Sequence, residues 1–430
     1  MPGKLLWKLD PGAVDRLAAR LPLGSAVISA TNGKTTTAAM AARILGGRLR
    51  LAHNNSGANL VSGVASALIA ARDAELGLFE VDEAALPEVL RRVRPRAVCL
   101  NNLFRDQLDR YGELEHIAER WRGAIRKLDP DAWLIVNGDD PQVGDLAHQR
   151  ERAVVFGLDD ARHAAPALPH AADSKYCLRC GTPYVYAAAY VGHLGDYRCP
   201  ACGHGRPALD VCARAVDLEG RDAASFTLVT EEGERRIKLP LPALFNVYNA
   251  LAAAALTRSL GAGLDEIQRG LEGFTAAFGR FERIVIAGKT LLILLIKNPA
   301  GANEVVRALV TRDVPPRVLI ALNDGIADGR DVSWIWDVDF EPLLDEDRLE
   351  TLIASGSRAA ELALRFKYAG LEASRLEVVP ELRRALDRGL ALTPPGEELV
   401  VLPTYTAMLA LREIVTERGF ARPYWESRAA

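Results

Sequence analysis

Lysine, glycine and hydroxyl side chains crowd one short stretch of this chain, Thr31-Asn32-Gly33-Lys34-Thr35-Thr36-Thr37. That set of groups suits a polyphosphate. The apolar run Val27-Ile28-Ser29-Ala30 precedes it, and an alanine-rich pattern from Ala38 to Leu45 follows. The order is strand, tight turn, helix, the setting in which Gly-Lys-Thr becomes a phosphate-binding loop. Backbone N–H groups at the new helix start face the anion, Lys34 adds a mobile positive charge, and Thr35 offers a hydroxyl to Mg2+. The usual glycine five residues before Gly33 is absent, its place taken by Ile28.

A second chemical cluster is made of sulfur. Cys177-x-x-Cys180 and Cys199-x-x-Cys202 are separated by eighteen residues, the spacing of a structural zinc ribbon. Each pair supplies a knuckle, and Gly181 and Gly203 suit the tight turns that follow. Four sulfur ligands leave no position for water, so the expected Zn2+ is structural, and its loss should loosen residues 174–206 without stopping binding at the phosphate loop. Five of the ten tyrosines (Tyr176, Tyr184, Tyr186, Tyr190, Tyr197) share the segment. They read as packing for a small β module, since few basic residues accompany them to favour base stacking on a single strand. Cys99 and Cys212 read as small buried hydrophobes, and the histidines, His204 included, are assigned no role.

These groups need a scaffold, and the chain is long enough for about three domains. Its 430 residues are 49% hydrophobic and 25% charged, as in soluble globular proteins. A net charge of −3 gives no reason to expect nucleic acid or an anionic membrane as partner. No run is long enough to span a bilayer and the first residues do not read as a signal peptide, so a cytosolic protein with reduced thiols is expected. Apolar runs at 76–81, 97–100 and 133–136 read as strands that end in Glu80-Val81-Asp82-Glu83, Asn101-Asn102 and Asn137-Gly138-Asp139-Asp140-Pro141. Polar residues at successive strand ends are where an open α/β sheet places its ligands. After an Ala/Pro/His-rich linker near 159–176 and the cysteine insertion, a β-rich passage (224–239) leads to the helix 250–260. Gly279-Arg280-Phe281-Glu282 reads as a hinge, with a second α/β pattern beyond it having strands near 291–296, 317–322, 351–354, 376–379 and 398–402. The fold class is therefore α/β with mainly parallel sheets: a phosphate-loop domain over 1–281 carrying the zinc ribbon at about 174–206, then a C-terminal Rossmann-like α/β domain over 282–430.

Several stretches together resemble the Mur ligase family. They are Thr31 to Thr36, Asn102 with Arg105-Asp106-Gln107-Leu108-Asp109, Asn137 to Pro141, Phe245-Asn246-Val247-Tyr248-Asn249, and Gly279 to Glu282. Within it, the four-cysteine insertion, Lys297-Asn298-Pro299-Ala300-Gly301-Ala302-Asn303 and the run from Leu322-Asn323-Asp324 through Gly329-Arg330-Asp331-Val332-Ser333-Trp334 resemble ligase subunits of the MurT type. The resemblance implies a cytoplasmic enzyme acting at the inner face of the membrane. With ATP it would activate the D-glutamate α-carboxyl of the lipid II stem peptide as an acyl phosphate. Ammonia from a GatD-type glutamine amidotransferase partner would then give D-isoglutamine. It further implies that Asp331 completes the partner's Cys-His pair, a carboxylate orienting an imidazole. Asp331 could instead cap the helical turn at Val332-Ser333-Trp334.

Thr31, Asn32, Gly33, Lys34, Thr35 and Thr36 are thus expected to hold ATP, with Thr35 and Glu80 as Mg2+ contacts. Glu80 could equally be a plain strand-end carboxylate. Asn246 and Asn249 would face the adenine, and Arg280 would reach phosphate or form an interdomain salt bridge. Relative to most family members, Ala30 replaces a glycine, Gln107 stands where a metal-binding histidine is usual, and no modified lysine can be placed. The N-terminal nucleotide-sugar domain of classical members is expected to be missing, since Val27 comes early. Two other readings remain: a Mur or folylpolyglutamate-type ligase adding an amino acid to a carboxylate, and a zinc-ribbon ATPase that binds nucleic acid. Gln107 with Lys297-Asn298-Pro299 weighs against the first, the acidic balance against the second.

Overall fold

The computed structural model describes residues 2–54, 58–106, 114–165, 168–169, 172–220, 222–274, 280–310, 316–344 and 348–421. The chain divides into two compact units, Met1–Phe104 with Glu113–Thr275, and Arg105–Gly112 with Ala276–Ala430.

In the first unit, α1 (Pro2–Leu9) and α2 (Ala13–Ala18) precede β1 (Ser25–Ser29), α3 (Lys34–Gly46), β2 (Leu51–His53), α4 (Val61–Ala70) and β3 (Leu76–Val81). Next come α5 (Leu86–Val93), β4 (Ala97–Leu100), α6 (Leu114–Ile125), β5 (Trp133–Asn137), α7 (Pro141–Gly144) and β6 (Ala153–Leu158). The hairpin β7 (Val185–Val191) and β8 (Leu194–Arg198) follows. A meander of β9 (Val211–Glu219), β10 (Ala223–Thr230) and β11 (Gly233–Leu239) then leads to α8 (Leu244–Ser259) and α9 (Leu264–Glu272). Nine strands form one sheet in the order β11-β10-β9-β6-β5-β4-β1-β3-β2. Pairing is parallel from β2 through β9 and antiparallel across β9, β10 and β11. Every residue of β1, β3 and β4 is buried, which is why these strands read as mainly apolar runs without alternation. The small side chains of α8 let it lie close against β4, β5, β6 and α3. Its first two turns thereby come beneath the loop that follows β1.

The second unit begins with the antiparallel pair β12 (Arg280–Ile286) and β13 (Lys289–Leu294). It continues through α10 (Pro299–Val310), β14 (Arg317–Ala321), β15 (Thr351–Ser355), α11 (Ala359–Tyr368), β16 (Leu376–Val378), α12 (Leu382–Leu392), β17 (Glu398–Pro403) and α13 (Tyr405–Glu417). The sheet order is β12-β13-β17-β14-β15-β16, parallel from β13 onward. Side chains alternate between two cores. Leu292, Val318, Ile320, Leu352 and Val400 meet α10 and α11. Leu291, Ile293, Leu319, Ile353 and Val401 meet α12 and α13.

Two local features depart from the sequence reading. The strand β12 starts at Arg280, within the stretch read as a hinge, while Gly279 lies outside the described residues. The helix α1 was not anticipated; it packs on α4, where Gly3 N donates to Ser66 Oγ. Among the described residues, no helix is long and apolar enough to cross a membrane.

Candidate nucleotide and metal sites

The loop after β1 turns on Gly33, whose φ of +85° is left-handed, and α3 starts at Lys34. Space demands glycine as well: a Cβ there would lie 1.9 Å from Asn249 Oδ1. The loop is clamped by the segment that follows β4. Asn32 N donates to Asn102 Oδ1 (2.8 Å) and Asn102 Nδ2 returns a bond to Asn32 O (3.0 Å). Thr31 N donates to Asn102 O, and Phe104 N donates to Thr31 Oγ1 at 3.0 Å. Asp140 holds the segment from the other side: Oδ2 accepts from Leu103 N (2.8 Å), while Oδ1 caps α7 at Gln142 N and Val143 N.

Lys34 is buried, its ammonium 2.6 Å from Glu83 Oε2 and also bonded to the carbonyl of Ala30. Burial alone would lower its pKa, but the carboxylates of Glu83, Asp82 and Glu80 outweigh that and hold it above the ordinary lysine value. Thr35 Oγ1 donates to Glu80 Oε1 at 2.9 Å. Glu80 is itself buried, and its other oxygen, Oε2, has no hydrogen-bond partner. A buried carboxylate oxygen left bare is costly unless a cation meets it. With the Thr35 hydroxyl alongside, the pair fits a hard dication such as Mg2+. Three carboxylates surround one ammonium here, so a polyphosphate is best received together with its dication.

Asn246 and Asn249, expected to face an adenine, are buried and already engaged within the protein. Asn246 Nδ2 donates to Pro242 O, Asn249 Nδ2 to Asn246 Oδ1, and Asn249 Oδ1 accepts from Thr37 Oγ1 and Asn101 Nδ2. The structure thus makes them a strut between α8 and the phosphate loop. Thr36 is also buried, in the first turn of α3. The side chains of Arg280 and Gln107 lie outside the described residues.

The four cysteine sulfurs of Cys177, Cys180, Cys199 and Cys202 all lie within 4.8 Å of one another. Cys177–Cys202 and Cys180–Cys199 are 3.5 and 3.4 Å apart, near the ~3.8 Å edge of a tetrahedron with ~2.3 Å Zn–S bonds. The two knuckles are built alike: Gly181 N donates to Cys177 O, Gly203 N to Cys199 O, and both glycines have positive φ. An all-sulfur set of this shape fits zinc. Tyr184 and Tyr197 pack edge to face on each other and share a small core with Cys177 and Cys199. His204 is buried and spent on Tyr184 OH and Asp145.

A set of buried groups between the insertion and the sheet carries no individual role in the sequence pattern. Asp139 is fully buried, its carboxylate accepting from Tyr248 OH, Leu158 N and Arg206. Burial raises it to about 6 although Arg206 opposes the shift. His193, at the β7–β8 turn, is fully buried, with Nε2 3.4 Å from Asp140 Oδ2. Neither residue stands in a spacing pattern that would mark it, beyond the Asn-Gly-Asp-Asp turn itself.

In the second unit, the loop after β14 is tied to the ends of neighbouring strands. Asp328 accepts from Thr406 N and Gly325 N, and Asn323 Oδ1 from Ser357 N. Asp331 is exposed on this loop, accepting from Ser333 N at 2.8 Å. That bond holds its pKa below the usual aspartate value, so it stays ionised. Lys297 Nζ lies 2.7 Å from Asp106 Oδ2, and Asn298 caps α10.

Residues 28–178 match the Mur ligase middle domain, and residues 295–408 match the MurT ligase C-terminal domain. The fold is shared with a solved pseudomurein peptide ligase type C from Methanothermus fervidus. That match has a TM-score of 0.69 at 22% identity and covers 92% of this chain and 79% of that one. The sequence is 32% identical to the MurT subunit of the glutamine-hydrolyzing lipid II isoglutaminyl synthase of Streptococcus pneumoniae R6, covering 98% of this chain and 93% of the relative. The same subunit of Staphylococcus aureus N315 is also 32% identical, over 96% of this chain and 92% of the relative. The chain belongs to the MurT family, a branch of the Mur-type ligases.

Proposed function

We propose that this chain is the ligase subunit of a lipid II isoglutaminyl synthase, a carbon–nitrogen ligase of peptidoglycan synthesis. The end-to-end match to the S. pneumoniae subunit carries the reading. The tip of β1 gives it chemistry. The D-glutamate α-carboxylate of the lipid II stem peptide attacks the γ-phosphorus of ATP, releasing ADP. Ammonia then attacks the acyl phosphate carbon, phosphate leaves, and a proton is lost to give the D-isoglutamine amide.

The amides of the loop and α3's N-terminus receive the phosphates, and Lys34 moves from Glu83 toward them as charge builds on the γ-phosphoryl oxygens. Thr35 and Glu80 would hold Mg2+, which supplies charge neutralisation on the phosphates. Asn246 and Asn249 keep Gly33 and α3 in register. In this reading residues 1–281 serve as the ATP-binding domain, with a zinc ribbon over about 174–206 held by Cys177, Cys180, Cys199 and Cys202. Residues 282–430 serve as a Rossmann-like C-terminal domain. There Asp331 meets the Cys-His pair of a GatD-type glutaminase that supplies ammonia, and the complex works at the inner face of the cytoplasmic membrane.

The test is an ATP-coupled assay with lipid II and either ammonium or free amino acids. Amidation with ammonium supports the reading; turnover with amino acids and none with ammonium overturns it in favour of an amino-acid-adding ligase.

A further inference from the structure

We propose that the cysteine-bearing insertion positions the phosphate loop, acting through His193 at the tip of its hairpin, and is not an independent accessory. The proposal rests on the reading of Thr31–Thr36 as a nucleotide site.

Four contacts link the sulfur cluster to that loop. First, β8 runs directly into Cys199, and Tyr197 on β8 packs against the cluster, so the cluster fixes the hairpin's base. Second, the hairpin is tied to the Asn137–Asp140 turn, because Gly195 N donates to Asp139 O at 2.8 Å. Third, the turn Gly192-His193 is fitted around one ring. Gly192 has φ +57°, and a Cβ there would lie 2.9 Å from Phe104 Cε1. The His193 ring centroid sits 4.8 Å from that of Phe104, with Nε2 facing Asp140 Oδ2. Fourth, Phe104 and Asp140 are the groups that hold the loop: Phe104 N bonds Thr31 Oγ1, and Asp140 bonds Leu103 N.

The segment 101–104 has no regular secondary structure, so its path is set by such side-chain contacts and by what packs behind them. On one side lies the phosphate loop. Gly192 and His193 of the hairpin lie against Phe104. An imidazole with no surface exposure, placed against a carboxylate and an aromatic ring, is a costly thing to bury unless its position matters. A loosened hairpin would free Phe104 and Asp140 and let Thr31 and Asn32 drift from the geometry that α3's N-terminus requires. Loss of zinc would then weaken nucleotide binding without stopping it.

The test is calorimetric binding of Mg·ADP to the full chain, with zinc content and thermal unfolding measured on each sample. His193→Ala should retain zinc and a cooperative transition yet bind Mg·ADP at least about fivefold more weakly. His193→Gln, which keeps a buried N–H donor at this position, should recover most of that loss. Removing the metal from the wild-type chain should weaken binding comparably, and removing it from His193→Ala should add little, since both act through one path. Wild-type affinity in zinc-loaded His193→Ala overturns the proposal, as does wild-type affinity in the metal-free chain. The metal-free measurement decides the matter if His193→Ala does not fold. A wild-type chain that binds no Mg·ADP fails at the nucleotide reading itself, a different result from either of these.

Discussion

Replacing Gly33 with alanine probes the phosphate loop where it has least freedom. The residue sits at φ +85°, and left-handed backbone costs an L-residue about 1–2 kcal/mol. The new methyl would also meet Asn249 Oδ1 at 1.9 Å, far inside contact distance. Asn249 cannot easily swing aside, being bonded to Asn246, Thr37 and Asn101. Overpacking of this kind costs about 1–3 kcal/mol. The sum, about 2–5 kcal/mol, must appear as a displaced loop, a less stable first unit, or both. If the loop absorbs it, Mg·ADP affinity falls by at least about thirtyfold, at roughly 1.4 kcal/mol per decade. Calorimetry of nucleotide binding and urea unfolding of the same samples divide the cost. Asn249→Ala removes the collision but not the backbone strain, so the double variant should recover about 1–3 kcal/mol relative to additivity. Wild-type affinity and stability in Gly33→Ala would show that the loop tolerates a side chain there, and strict additivity would rule out the contact with Asn249.

Three further outcomes are expected. Lys34→Ala should abolish ATP-dependent turnover and also destabilise the first unit by about 3–5 kcal/mol, since Glu83 loses its ammonium; Lys34→Ala with Glu83→Gln should restore stability in denaturation but not turnover. Glu304 in α10 is buried, its Oε1 lacks a hydrogen bond, and burial pushes its carboxyl up to about 7 against 4.5 in an unfolded chain. A raised carboxyl weakens the fold as pH climbs from about 4.5 through 7, so Glu304→Gln should stabilise the second unit at pH 8 by about 2 kcal/mol more than at pH 5, measured by urea unfolding. Asp331→Asn should lower glutamine hydrolysis by the partner while ammonium-supported amidation continues; an equal fall in both rates would contradict the proposed role.

What could be read ahead of the structure was local. An apolar run followed by Gly-Lys-Thr and an alanine-rich helix announces β1, its loop and α3, because each signal lies within a few residues of the next. The cysteine pairs are visible for the same reason: two thiols per knuckle and a glycine behind each. The strut at Asn249 was not legible, since its partner Thr37 lies 212 residues away and an Asn on an apolar helix carries no mark of what it faces. His193 was invisible too, a lone histidine whose partners Phe104 and Asp140 come from separate loops. The helix α1 escaped notice because eight residues are too few to hold a helix by propensity; packing on α4 supplies what the local sequence lacks. At Arg280 a glycine-containing stretch suggested a bend, whereas pairing with β13 draws it into a strand.

Ligase chemistry at the tip of β1 is tested most simply without glutamine. The purified chain is given lipid II, Mg·ATP and ammonium chloride, and ADP release and lipid II mass are followed together. ADP should form in step with amidated lipid II, with both absent in Lys34→Ala. Unchanged ATP in the presence of all three, or amidation that proceeds without ATP, would contradict that chemistry.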